Sequence, residues 1–239
     1  MCRMYILWES YKKDNKYNKI IDKHYNNYFD KKILSRGFCQ IYNENIIFIK
    51  ELHYTNNISS KKNIKENNNN NNNLKYIINH VRIPFDKKVT SIIKNNIHPF
   101  IYKNRYLCMH NGQIKFKKTL NKIDQKKLKG TTDSELFFNI LQKIKEDNQL
   151  ENIYEGIQEI YKYIQKESLL NIIILDKKED IVIAYRGIMK HTELPPLYIY
   201  KYGITNIKSD DEYTILPYNA LLIRKNAKIN IYRNYIKNV

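Results

Sequence analysis

Tyr106-Leu107-Cys108-Met109-His110-Asn111-Gly112-Gln113-Ile114 and, after a polar stretch, Thr131-Thr132-Asp133-Ser134-Glu135-Leu136-Phe137-Phe138 mark the point where the chain changes its hydrophobic period. The first run is rich in β-prone residues and predicts a strand over 106–110, with Asn111-Gly112 behind it as a type I′ hairpin-turn signal. The second opens with Thr132 and Glu135 in a Thr-x-x-Glu capping-box spacing. Behind that cap, Leu136, Phe137, Ile140, Leu141 and Ile144 recur every 3.6 residues, as one face of a helix requires. Ile153, Ile157, Ile160 and Ile164 repeat the period and predict a second helix.

Working outward, short runs of Ile, Val, Tyr and Phe predict strands upstream at 3–8, 37–42, 46–50 and 76–82. Downstream, strands are expected at 169–175, 181–185, 198–202, 213–216, 220–224 and 229–232. Strands, then helices, then strands give an α+β class, in which two sheets with helices packed outside would bury every apolar run. The Asn tract 67–73 and the polar run before it have no hydrophobic period. Residues 56–73 therefore read as a low-complexity, disordered loop, carried by a hairpin between the strands at 46–50 and 76–82. A shorter polar insertion is expected over 12–27, and residues 2–239 read as one domain.

The bulk numbers narrow the classes. Hydrophobic residues make up 42% and aromatic residues 13% of the 239, enough for a packed core. A formal net charge of +18 suggests a phosphate-binding surface. The lysines, however, fall in short pairs such as Lys12-Lys13, Lys61-Lys62 and Lys117-Lys118 along the whole chain, which argues against nucleic acid as the partner. Cys2, Cys39 and Cys108 cannot all pair, and none forms a C-x-x-C, so a reducing, cytoplasmic setting is expected. The sequence has no apolar run of about 18 residues and no secretory signal pattern, so no membrane association is expected. Nothing in the residue spacing calls for a metal or a cofactor.

Cys2 is the residue with the most chemical potential. Removal of Met1 before so small a residue would leave a free α-amine beside the thiol. An α-amine with a pKa of roughly 7.7–8.0 is partly neutral near pH 7 and can serve as base for its own side chain.

Five ordered blocks carry a resemblance: Met1-Cys2-Arg3-Met4, His80-Val81-Arg82, Asn96-Ile97-His98-Pro99-Phe100, His110-Asn111-Gly112-Gln113-Ile114 and Thr131-Thr132-Asp133-Ser134-Glu135. Their order and spacing resemble the class II glutamine amidotransferases of the N-terminal-nucleophile hydrolase superfamily. The nearest likeness is to the stand-alone group related to γ-glutamyl amidases. By motif it runs from residue 1 to about residue 145, and more weakly through Ser209 and 213–224. The resemblance implies a four-layer αββα sandwich and an amidohydrolase acting on the γ-amide of glutamine or a γ-glutamyl peptide through a glutamyl thioester on Cys2. It assigns the Asn111 side-chain amide and the Gly112 backbone N–H to an oxyanion hole, where fixed donors stabilise developing charge. Arg82 would clamp the substrate α-carboxylate, a task suited to its planar fork. Asp133 would hold the α-ammonium, while His80, His98 and His110 would support the pocket walls.

Two blocks depart from the pattern. Ile83-Pro84-Phe85-Asp86 stands where the family places a small residue, a carboxylate-binding threonine and a glycine, and Phe85 cannot donate that hydrogen bond. Arg36-Gly37-Phe38-Cys39 keeps one of four residues of an Asp-Gly-Trp-Gly motif. These departures motivate a second reading, a catalytically weakened subunit with a binding or scaffolding role. The sequence shows no appended synthase, isomerase or phosphoribosyltransferase segment. Accordingly the partners expected are a small-molecule γ-glutamyl substrate and a separate protein chain supplying an ammonia acceptor or a downstream peptidase.

Overall fold

The computed structural model describes residues 2–8, 33–42, 45–54, 74–82, 94–117, 128–187, 195–208 and 212–237. Both polar insertions, at 12–27 and 56–73, lie outside the described residues, as does Phe85. The chain divides into two compact units. One comprises Met1–Pro99 with Tyr198–Thr214, the other Phe100–Leu197 with Ile215–Val239.

The first unit is organised on a seven-stranded sheet. Its members are β1 (Arg3–Trp8), β2 (Ile33–Tyr42), β3 (Ile46–Tyr54), β4 (Leu74–Arg82), β9 (Tyr198–Tyr200), β10 (Gly203–Thr205) and β11 (Thr214–Ile215), in the order β11-β9-β10-β1-β4-β2-β3. β1 is therefore central: it pairs antiparallel with β4 on one side and with the distant β10 on the other. Tyr5, Leu7, Phe38, Leu74 and Ile77 form a buried cluster on it, with Tyr5 and Leu7 two apart as one face of a sheet demands. The hairpin expected between the strands at 46–50 and 76–82 is not formed. β2 pairs with both β3 and β4 and so separates them, because β2 brings Phe38, Cys39 and Ile41 to burial between its two neighbours.

The second unit carries a six-stranded antiparallel sheet built from β5 (Phe100–Tyr102), β6 (Tyr106–Gln113), β7 (Leu169–Asp176), β8 (Ile181–Arg186), β12 (Ala220–Lys225) and β13 (Lys228–Tyr232), in the order β13-β12-β8-β7-β6-β5. Helices α1 (Asp133–Asp147) and α2 (Gly156–Ile160) pack on one face. There Phe137, Phe138, Leu141, Ile157 and Ile160 meet Cys108, Ile172, Ile174, Ile183, Tyr185 and Leu221. Sheet residues of that set on one strand are two apart, and Phe138–Leu141 and Ile157–Ile160 are three apart on their helices, so the sequence periods map onto the interface.

The second helix is shorter than its isoleucines suggest. Ile157 and Ile160 lie on α2, which runs on as a 3₁₀ turn over Tyr161–Tyr163, but Ile153 precedes it and Ile164 bridges to Phe116. All four are buried. Burial, rather than an unbroken helix, is what their spacing encoded. The α+β class and the two-sheet content are those expected from the order of elements.

Candidate functional site

In the first unit, Cys2 stands half-buried at the head of β1. Asn206, just after β10, fastens it. The Asn206 Nδ2 donates to the Cys2 carbonyl at 2.9 Å, and its Oδ1 accepts from the Met4 N–H at 2.8 Å. Thr205 adds a hydroxyl bond to the Met4 carbonyl at 3.0 Å. Cys39 and Cys108 are buried, and burial pushes both thiols above their ordinary range, so neither supplies thiolate near neutral pH. Cys2 is the accessible thiol.

His80 on β4 and His98 stack with ring centroids 4.1 Å apart, both buried. Gly37 lies opposite His80 in the β2–β4 register, and a Cβ there would come within 1.6 Å of the His98 carbonyl oxygen. The glycine retained from the altered Arg36-Gly37-Phe38-Cys39 block is thus the one position where no side chain fits. Arg36 is buried; its Nε donates to Asn79 Oδ1 at 2.7 Å and its guanidinium lies 5.1 Å from the Phe38 ring centre. Arg82 closes β4 in a half-buried position, opposite Ser35.

In the second unit, Asn111 and Gly112 do not form a hairpin turn. β6 continues through both and pairs with β7 as far as Gln113 opposite Leu169. Gly112 has φ 151°, and a Cβ there would stand 2.0 Å from the Leu169 carbonyl oxygen, so close backbone approach, not a turn, selects glycine. Asn111 is 2% exposed, and its Nδ2 has no hydrogen-bond partner among the described residues. A buried donor left unsatisfied is free to receive an oxygen acceptor, from water or from a ligand.

His110 fixes this corner from the helix side. Its Nε2 donates to the Leu169 carbonyl at 2.8 Å, and its Nδ1 lies 2.8 Å from the Ser134 hydroxyl. Burial holds its pKa below the usual imidazole value, against the opposing pull of Asp133 and the Leu169 carbonyl. In the neutral ring that bonding leaves Nδ1 to accept from Ser134. Asp133, the first residue of α1, accepts from Ile114 N–H at 2.5 Å through Oδ2 and from Ser134 N–H at 2.8 Å through Oδ1. Thr132 caps the helix as expected, accepting from Glu135 N–H at 3.2 Å. The Glu135 carboxylate turns to the preceding loop, accepting from Lys129 and Gly130 N–H groups.

The structure therefore gathers His80 and His98 in one unit, and His110, Asn111, Gly112 and Asp133 in the other. Sequence reasoning missed Asn206 and Ser134. Asn206 had no signal because its partners lie some 200 positions away; Ser134 sat unremarked inside the quoted Thr-Thr-Asp-Ser-Glu block.

Comparison with known families matches residues 43–211 to the class-II glutamine amidotransferases. The chain belongs to that family. Within the matched span lie His80, Arg82, His98, His110, Asn111, Gly112 and Asp133; Cys2 precedes it. Among solved structures, this amidotransferase chain is similar to a glutamine aminotransferase class-II domain protein from Silicibacter pomeroyi, with 13% identity and a TM-score of 0.54 over 98% of this chain and 99% of that one. It is also similar to an allosteric regulatory enzyme of purine biosynthesis, at 10% identity and TM-score 0.63, covering all of this chain and 50% of that one. A predicted glutamine amidotransferase from Pseudomonas aeruginosa aligns at 12% identity and TM-score 0.51, over 95% of this chain and 94% of that one. At such identities the likeness establishes the fold alone, an α+β arrangement built on two sheets. No curated protein matches the chain. Among the described residues, no helix is long and apolar enough to cross a membrane.

Proposed function

We propose that this amidotransferase-family chain hydrolyses the γ-amide of glutamine or a γ-glutamyl compound. Cys2, with Met1 removed, is the nucleophile. Its sulfur bonds to the γ-carbonyl carbon while the α-amine takes the thiol proton. The C–N bond then breaks, the amine leaves with that proton, and a glutamyl thioester remains. Water attacks the same carbon, the C–S bond breaks, and glutamate departs as the thiol is restored. The Asn111 amide and Gly112 N–H hold the oxyanion in both steps. Arg82 takes the α-carboxylate and Asp133 the α-ammonium, with His80, His98 and His110 holding the walls.

One observation carries this reading: the buried Nδ2 of Asn111, without a hydrogen-bond partner among the described residues, next to a glycine that tolerates no side chain, in a chain of this family. Half-exposed Cys2, tethered through its carbonyl, supports it. The test is turnover of glutamine and of γ-glutamyl amides by purified protein, with Cys2→Ala as control and intact mass to read the N-terminus. Cys2-dependent release of glutamate from a chain lacking Met1 is the expected result. Turnover that persists in Cys2→Ala, or a retained Met1 on active protein, would overturn it.

A further inference from the structure

Across the six-stranded sheet, Asn111 on β6, Asn171 on β7 and Arg186 on β8 stand directly opposite one another. Opposed residues of antiparallel strands project to the same face. Cys108, Ile172, Ile174, Ile183 and Tyr185 take the helix side, so this polar row lies on the other face. The adjoining rank on that face, Met109, Ile173 and Ala184, is wholly apolar. All three members of the row are buried, Arg186 with 7% exposure.

Two amides and a guanidinium in such a setting cost free energy unless they are bonded, so their orientations carry information. Asn171 Nδ2 donates to the Pro195 carbonyl at 2.7 Å. Arg186 Nη1 donates to the Leu216 carbonyl at 2.9 Å, and its guanidinium carbon lies 3.8 Å from the centre of the Tyr218 ring. Tyr218 itself is about half exposed, at 48%, so the guanidinium lies beneath a side chain that reaches solvent. A planar, aromatic-stacked arginine held in place by a carbonyl is preorganised for bidentate capture of a carboxylate.

The spacing fits a particular substrate. Strands lie about 4.8 Å apart, which puts the Arg186 backbone roughly 10 Å from that of Asn111. Two hydrogen bonds of roughly 2.9 Å each and one extended residue of roughly 3.5 Å together cover about that distance. With the scissile carbonyl oxygen on Asn111, a carboxylate one residue along the leaving amine comes within reach of Arg186.

We infer that Arg186 binds a carboxylate on the leaving-amine side of the substrate, selecting γ-glutamyl amino acids and peptides over glutamine. This rests on the hydrolysis proposed above. The experiment compares kcat/KM for three substrates: γ-glutamylglycine, γ-glutamylglycinamide, whose carboxylate is neutralised, and glutamine. A charge-assisted hydrogen bond contributes about 1.5–3 kcal/mol, so the wild type should favour the glycine form over the glycinamide by roughly ten- to a hundredfold, mostly through KM. Arg186→Met and the charge-retaining Arg186→Lys should both shrink that ratio toward about two. The inference is overturned by a wild type that turns over both forms equally, or by a preference that survives Arg186→Met; the first outcome needs no folded variant. Turnover of glutamine alone would also overturn it while leaving the proposed function intact. Failure on all three substrates removes the proposed function and this inference with it.

Discussion

Asn206 grips Cys2 and Met4 with the two ends of one amide, donating to the Cys2 carbonyl at 2.9 Å and accepting from the Met4 N–H at 2.8 Å. This brings the first described residues under the control of a side chain more than 200 positions away and ties the geometry of the thiol to the pairing of β1 with β10.

Replacing Asn206 by Ala should therefore act on stability and on the thiol together. The Met4 amide would be left buried without an acceptor, a loss of about 2 kcal/mol. Urea unfolding should show a lower midpoint with an unchanged slope. Alkylation of Cys2 by iodoacetamide under native conditions should accelerate. Unchanged values of both would show that the amide holds nothing in place.

Gly112→Ala tests the backbone approach of β6 to β7. The φ of 151° and the 2.0 Å contact of a built Cβ with the Leu169 carbonyl leave no room for a methyl group. Forcing the strands apart there should cost about 3 kcal/mol and remove turnover. Denaturant titration with a glutamate-release assay reads both. A variant as stable as the parent would mean that the sheet accommodates a side chain at 112.

How much of this was legible beforehand follows from the range of the interactions. The bounds of β1 and the 3.6 period of α1 could be read directly, because each reflects burial of a locally repeated pattern. The three-residue strands β5 and β10 are too short to show a period. The place of β2 between β3 and β4 is a choice among strands of equal apolarity, settled by packing far along the chain. Asn111-Gly112 carried two local meanings, turn or site; only the Leu169 carbonyl, 57 positions on from Gly112, decides against the turn. Arg82 and Asp133 were legible as residues but not as contacts, and the Asp133 bonds to Ile114 and Ser134 were unforeseen.

His110 should make the fold acid-sensitive. Burial lowers its pKa in the folded chain below the ordinary value of 6.5, so on acidification the unfolded chain binds the proton first. Its contribution to stability is fully present above about pH 6.5 and is lost as pH falls through the folded value. Urea midpoints measured from pH 7.5 to pH 5 should decline more steeply for the wild type than for His110→Gln, which has no proton to take up. Parallel declines would assign the acid sensitivity to other groups.

Asn111 offers the sharpest separation of activity from stability. Its Nδ2 is buried yet bonded to nothing among the described residues, so removing it breaks no hydrogen bond to that nitrogen. Asn111→Ala loses some packing, but it also removes an unsatisfied buried donor, and these effects oppose one another. The melting temperature should stay within a few degrees of the parent. An oxyanion donor, in contrast, contributes about 10²–10³-fold to kcat through an interaction made in the transition state, so kcat should fall by that factor with KM little changed. Stopped-time glutamate assays and thermal melts on the same preparation measure the two quantities. A large drop in melting temperature with near-normal kcat would instead make Asn111 a structural residue of β6, and the oxyanion role would have to move elsewhere.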